Sequence, residues 1–141
     1  MTGGYQKIAP GLFLLTLVRQ LSLIIMDIEQ FREYCISLPG VTEEFPFGEE
    51  TLVYKVKGKM FTLTNLDTFE SINLKCDPEI AAELRERYEG VTPGYHMNKK
   101  HWNTVDVHSN IPNKLLYEWI KDSYDLVVKS LPKKDRENLT Q

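Results

Sequence analysis

The chain is poor in the features from which chemistry is most easily read. It holds two cysteines in 141 residues, Cys35 and Cys76, and neither lies in a C-x-x-C step or another metal-ligand spacing. That excludes a disulfide scaffold and a zinc ribbon, and leaves two thiols that suit a reducing compartment. No phosphate-cradling glycine loop, G-x-G-x-x-G turn or G-x-S-x-G elbow occurs. The usual nucleotide, dinucleotide and hydrolase signatures are therefore missing. Positive charge is not in excess either: 17 Lys and Arg face 20 Asp and Glu, a formal charge of −3. A dedicated duplex binder generally carries net positive charge, so the global balance argues against strong nucleic-acid binding and leaves room only for a local basic patch. Low-complexity tracts are absent as well.

A spanning helix needs about 20 predominantly apolar residues. The most apolar stretch, GLFLLTLVRQLSLII from Gly11 to Ile25, is shorter and is broken by Arg19 and Gln20. Lys7 alone precedes it as a basic residue, and no small-x-small cleavage site follows. The block MDIEQFREY from Met26 opens a helix in good form. We read residues 1–25 as an extension outside the working domain, beside the alternatives of an appended amphipathic helix and a cleaved signal. Residues 26–134 then form the domain and 135–141 a charged tail. A soluble cytoplasmic protein without membrane insertion is expected.

Asp27 is placed to cap a helix through Leu38, with Ile28, Phe31, Cys35 and Leu38 on one stripe and Pro39-Gly40 ending it. The acidic, aromatic segment VTEEFPFGEE follows as a loop. Its Glu43, Glu44, Glu49 and Glu50 are a candidate cation site or a plain solvated surface. Two alternating runs, Thr51–Val56 and Lys59–Asn65, flank Lys57-Gly58 as a hairpin, and Ser71–Cys76 reads as a third strand. Asp77-Pro78 opens a helix through Tyr88, with Ile80, Ala81, Leu84 and Tyr88 facing inward. A fourth strand is predicted at His101–Val107. Ser109 or Asn110 then caps a last helix, Pro112–Leu131, with Leu116, Trp119, Ile120, Ser123 and Val127 on its inner face.

This order, α-β-β-β-α-β-α, implies an α+β fold: a single antiparallel sheet with helices on one face. Alternation assigns Leu52, Tyr54, Val56, Phe61, Leu63, Ile72, Leu74, Cys76, Val105 and Val107 to the covered face. Val53, Lys55, Lys57, Met60, Thr62, Thr64, Ser71, Asn73, Lys75, Trp102, Thr104 and Asp106 fall on the open one. An exposed tryptophan among lysines can stack a base while ammonium groups meet phosphate. An open antiparallel face is also ordinarily polar, and Trp102 could lie under the loop before it.

Within TPGYHMNKKHWNTVD, Thr92 to Asp106, the run Lys99-Lys100-His101-Trp102 is a basic, aromatic entry to the last strand. His96, His101 and His108 lack helical spacing and have no Cys or Glu at a matching step, so a zinc site would need tertiary convergence. Cys35 sits on a core stripe rather than in a reachable electropositive position.

The blocks REYCISLPGVTEEFPFG, VYKVKGKMF, INLKCDPEIAAELRERY, GVTPGYHMNKKHWNTVDV and WIKDSYDLVVKSLPKK together resemble the MmcQ/YjbR family, from Asp27 to about Lys134. The Lys-Cys-Asp-Pro turn and the Tyr-His-x-Asn-Lys-Lys-His-Trp run are the most specific. The resemblance implies a CyaY-like (frataxin-like) α+β fold and a DNA-binding role suggested from shape, which fold alone does not license. Carried over residue by residue, it points to Lys55, Lys57, Lys59, Lys75, Lys99, Lys100, His101, Trp102 and Asn103. The apolar residues 1–25 depart from the family pattern. No catalytic centre, cofactor or bound metal is expected. The rival readings are a protein- or small-ligand-binding module with Trp102 and Tyr95 lining a pocket, and a weak frataxin-like metal binder using the four glutamates or the first helix (Asp27, Glu29 and Glu33). The oligomeric state stays open.

Overall fold

Helix α1 (Ile28–Ser37) begins where local chemistry dictates. The Asp27 carboxylate accepts from the Gln30 amide at 2.8 Å, and the Gln30 side chain accepts from the Asp27 amide at 3.1 Å, a reciprocal capping box. The computed structural model describes residues 25–94 and 97–139, so the reading of residues 1–24 lies outside the described part. Phe31 and Cys35 are buried, and the Phe31 ring meets Tyr54 edge to face at 5.7 Å. Burial pushes the Cys35 thiol far above its ordinary range. On the helix flank, Arg32 grips Glu43 through two bonds of 2.9 and 3.2 Å, and the Tyr54 hydroxyl donates to the same carboxylate at 2.7 Å.

Six strands follow: β1 (Val41–Glu44), β2 (Thr51–Val56), β3 (Lys59–Asn65), β4 (Ser71–Lys75), β5 (Val91–Pro93) and β6 (Trp102–Asp106). They form one sheet in the order β1-β2-β3-β4-β6-β5, with every pairing antiparallel. Helices α2 (Pro78–Arg87) and α3 (Asn113–Ser130) pack with α1 on one face, as expected. The sheet is two strands wider than the sequence order suggests. Both extra strands are edges, and each is too short and polar to show an apolar period: β1 carries Glu43 and Glu44, and β5 is three residues ending in Pro93.

The hairpin turn is as predicted, with Lys57 and Gly58 both at positive φ (49° and 81°). The face assignment of β3 is not. Tyr54 pairs with Thr62 but Lys55 pairs with Met60, so Phe61 is an extra residue in the strand. The bulge lets Phe61 enter the core while Thr62 and Thr64, expected on the open face, are buried on the helix side. Their hydroxyls donate to the carbonyls of Asn73 and Ser71 at 2.9 and 2.7 Å, which removes the penalty for burying them. Leu63 is correspondingly turned to the opposite face.

The bulge also opens the β3–β4 ladder. Regular pairing ends at Thr62 and Leu74, and the next pair would be Phe61 and Lys75. Ser123 of α3, fully buried, fills that rung: its hydroxyl accepts from the Lys75 amide at 2.8 Å and donates to the Phe61 carbonyl at 2.5 Å. One helix side chain thus replaces a missing strand-to-strand bond.

Other local differences have simple causes. Helix α2 is capped by Asp77 with Pro78 in its first turn, yet Ile80 is 51% exposed and only Ala81 of the helix is fully buried. Helix α3 begins after Pro112 with no side-chain cap, because Ser109 bonds back to Asp106 and Asn113 accepts from the Met26 amide. The charged segment after Pro132 forms a short helix, α4 (Lys133–Asn138), and Leu139 returns to the core edge. Gly40, at φ +73°, makes room for it: a Cβ there would fall 2.2 Å from Leu139 Cδ2. Among the described residues no helix is long and apolar enough to cross a membrane.

Candidate functional site

Strand register decides which charges share an end of the sheet. The β2–β3 turn, the exit of β4 and the entry to β6 all lie at one end, because Val56 pairs with Lys59, Thr62 with Leu74, and Lys75 with Trp102. Lys57, Lys59, Lys75, Lys99, Lys100 and His101 therefore gather there from three separate segments of the chain. The opposite end carries Glu49, Glu50, Asp67, Glu70, Glu89 and Asp106. A net charge of −3 thus hides an uneven distribution, with five lysines at the end that holds the loop before β6, although Asp77 follows β4 directly there.

The anticipated residues do not all meet. Lys57, Lys59, Lys99, Lys100 and His101 are exposed. Lys55 is half-buried and engaged by Glu44 at 3.3 Å, so its charge is already answered. Trp102 lies on the face away from the helices, opposite Lys75, but it is 8% exposed rather than open. The chain at Gly94 runs directly against it: the Gly94 amide donates to the Trp102 carbonyl at 2.8 Å, and a Cβ at Gly94 would sit 2.7 Å from that of Trp102. A buried indole offers no platform for a base. Tyr95 and His96 lie outside the described residues.

Asn103 points the other way, onto the helix face, and is buried. Its amide donates to the Ala81 carbonyl at 3.3 Å and its oxygen accepts from Arg85 at 3.0 Å. The same Arg85 nitrogen donates to the Lys99 carbonyl at 3.0 Å. Asn103 is thus no contact residue: through Arg85 it ties the lysine loop to α2. The i-to-i+2 bond from the Lys100 amide to the Asn98 side chain, 3.0 Å, shapes the loop further.

The four glutamates do not converge. Glu43 is held by Arg32 and Tyr54, and Glu44 by the Thr42 hydroxyl and Lys55, which together keep its carboxyl below the ordinary range. Among the described residues no group of three or more His, Cys, Asp or Glu is arranged to hold a metal ion.

An enclosed concavity lies elsewhere than beside Trp102. A cleft of about 410 Å³ runs between α2 and α3 over β4 and β6. Its apolar walls are Leu74, Val105, Leu84, Trp119 and Leu126, and Asp77, Asp122, Asp125 and Lys129 ring it. Tyr88 and Trp119 meet edge to face at 5.2 Å, joining the two helices at one end. Trp119, read as core from its period, is a half-buried wall of this cleft. No sequence-local pattern announces it, since three separate stretches of the chain build it.

The YjbR family model matches residues 36–126. The chain is 40% identical over 112 residues to the uncharacterized Escherichia coli O157:H7 protein YbdF, covering 79% of this chain and 92% of that one. It is 30% identical over 117 residues to the uncharacterized protein YjbR of Escherichia coli K12, covering 82% and 99%. The crystal structure of Deinococcus radiodurans protein DR2400, a DUF419 domain, superposes with a TM-score of 0.76 at 39% identity, covering 84% of this chain and 89% of that one.

Proposed function

The chain belongs to the YjbR family, and from that premise we propose that it is a non-catalytic binding protein whose lysine-rich sheet end contacts the phosphate backbone of nucleic acid. The observation that carries this reading is the register, which brings Lys57, Lys59, Lys75, Lys99 and Lys100 to one end while Glu49, Glu50, Asp67, Glu70, Glu89 and Asp106 lie at the other. Such an end is attracted to a line of phosphates even on an acidic protein, because ionic screening limits the influence of charges beyond about 8–10 Å.

The burial of Trp102 sharpens the mode. With the indole covered, contact is to phosphates rather than to stacked bases, so binding should show little preference for sequence or for single strands. The thiols do not suggest covalent chemistry: burial holds Cys35 protonated, and burial with Asp77 and Asp122 nearby pushes Cys76 up to about 11. Positioning of the loop by Arg85 and Asn103 favours a preformed surface.

If five lysines each displace one counterion, log Kd against log salt has a slope of magnitude about 4.5 on duplex DNA. Titration of a fluorescent duplex oligonucleotide at several salt concentrations measures it. Lys99→Ala with Lys100→Ala should lower that magnitude by about 2. Binding that ignores salt, or a slope the double variant leaves unchanged, would overturn the proposal.

A further inference from the structure

The cleft between α2 and α3 has a construction that phosphate binding does not use. It lies on the helix side of the sheet, whereas the Lys75 and Trp102 side chains occupy the opposite face by strand alternation. Lys75 therefore contributes backbone to its wall, not its ammonium group. The lining alternates regularly along each element: Ile80 and Leu84 of α2, and Trp119, Asp122, Leu126 and Lys129 of α3, present one helical face apiece. Its volume lies in the range that small-molecule sites occupy, at the lower end.

The charges of the cleft are unevenly answered. Asp77 is spent on capping α2, where it accepts from the Glu79 amide at 3.1 Å. Asp125 is paired with Lys121 at 2.5 Å. Among the described residues Asp122 forms no ion pair, with Lys121 close enough only to offset part of what raises its carboxyl, and Lys129 makes no ion pair there. Carboxylates outnumber cations around the rim, Asp77, Asp122 and Asp125 against Lys129. The Asp122 carboxyl is held above its usual range by partial burial and then by Asp125 and Glu118. The Cys76 thiol, on the opposite wall, is pushed up to about 11 by burial and then by Asp77 and Asp122. A cation seated between those walls would offset the smaller, charge-borne part of each shift.

We propose that this cleft is a binding site for a small organic amine with an apolar body, its ammonium group paired with Asp122 and its body against Leu74, Leu84, Trp119 and Leu126. The apolar floor supplies the affinity of burial and the lone carboxylate supplies selection by charge. The Trp119 ring in its wall suits an aromatic ring as the body.

Phenethylamine is the probe, with 3-phenylpropionate as its anionic counterpart of similar shape. Amide NMR of the full chain should show saturable shifts at Cys76, Asn103 and Trp119 with millimolar phenethylamine, and none of that pattern with the propionate. Asp122→Asn, at an exposed position that folding tolerates, should weaken the amine about threefold to fivefold, the worth of one solvent-exposed ion pair. Leu84→Trp, which fills the cleft, should abolish the shifts while leaving the sheet resonances in place. Equal response to amine and propionate, shifts confined to the lysine loop, or undiminished binding by Asp122→Asn would overturn the proposal. Duplex binding is unaffected by any of these outcomes, so the two sites are judged separately.

Discussion

Replacing Ser123 by alanine tests how α3 is held to the sheet. The hydroxyl serves two buried backbone groups at once, the Lys75 amide and the Phe61 carbonyl, where the bulge has parted β3 from β4. Removing it leaves both unsatisfied, and the space freed by one oxygen atom is too small to admit a water in its place. Each orphaned buried group costs about 1–3 kcal/mol. Partial closure of the gap would recover some of that, so we expect a loss of about 2–3 kcal/mol, a large share of the ~5–15 kcal/mol typical of a domain. At roughly 4 °C per kcal/mol this lowers the melting temperature by roughly 8–12 °C. Urea denaturation followed by tryptophan fluorescence gives the first quantity, and amide exchange at Lys75 localises it. Ser123→Thr, which keeps the hydroxyl, should retain Lys75 protection even where its extra methyl strains the packing. A stability change within about 0.5 kcal/mol for Ser123→Ala, with Lys75 exchange unaltered, would refute the inserted-rung account.

Three further outcomes are expected. Gly40→Ala should destabilise by about 1–2 kcal/mol, because a Cβ meets left-handed strain at φ +73°. Adding Leu139→Ala removes the contact but not the strain, so thermal melts of the double variant should fail to recover the wild-type value. Asn103→Ala should cost about 2 kcal/mol and speed amide exchange at Lys100 and His101, because Arg85 then loses a buried partner and holds the loop less firmly. The Cys76 thiol ionises near 9 when unfolded and is pushed up to about 11 in the fold. Alkylation by iodoacetamide should therefore stay slow at neutral pH and rise toward pH 11, with Asp122→Asn moving the profile down. By the same sign, this thiol's share of stability is complete below pH 9 and is lost as pH climbs from there through the folded value.

Elements with strong local chemistry were readable from the chain alone. The Asp27 box, the Asp77-Pro78 start, the Lys57-Gly58 turn and the Phe31–Cys35 stripe each depend on neighbours within four residues. What escaped depends on distant partners. A bulge at Phe61 inverts the assignment of Thr62, Leu63 and Thr64, and nothing in KMFTLTN distinguishes a bulged strand from a regular one. The edge strands exist because β2 and β6 offer them open ladders. For the site, the lysines could be singled out one by one in the sequence, but their common location follows from pairings β2–β3 and β4–β6 that alternation cannot specify. Trp102 shows the limit most clearly: its place in the strand was legible, whereas its cover depends on how closely the chain at Gly94 returns.

The two short outer strands have a consequence for behaviour in a crowded solution. A sheet six strands wide is a template for polymerisation wherever its margins accept another chain. Here one margin is three residues long and ends in a proline that has no amide hydrogen to offer. The other places Glu43 and Glu44 along four residues, so a second copy approaching in the same register would set carboxylate against carboxylate. Neither margin is long enough or neutral enough to seed a fibril. The inner strands, rich in threonine and branched aliphatics, can thus remain strongly β-forming without making the protein prone to self-association through its edges.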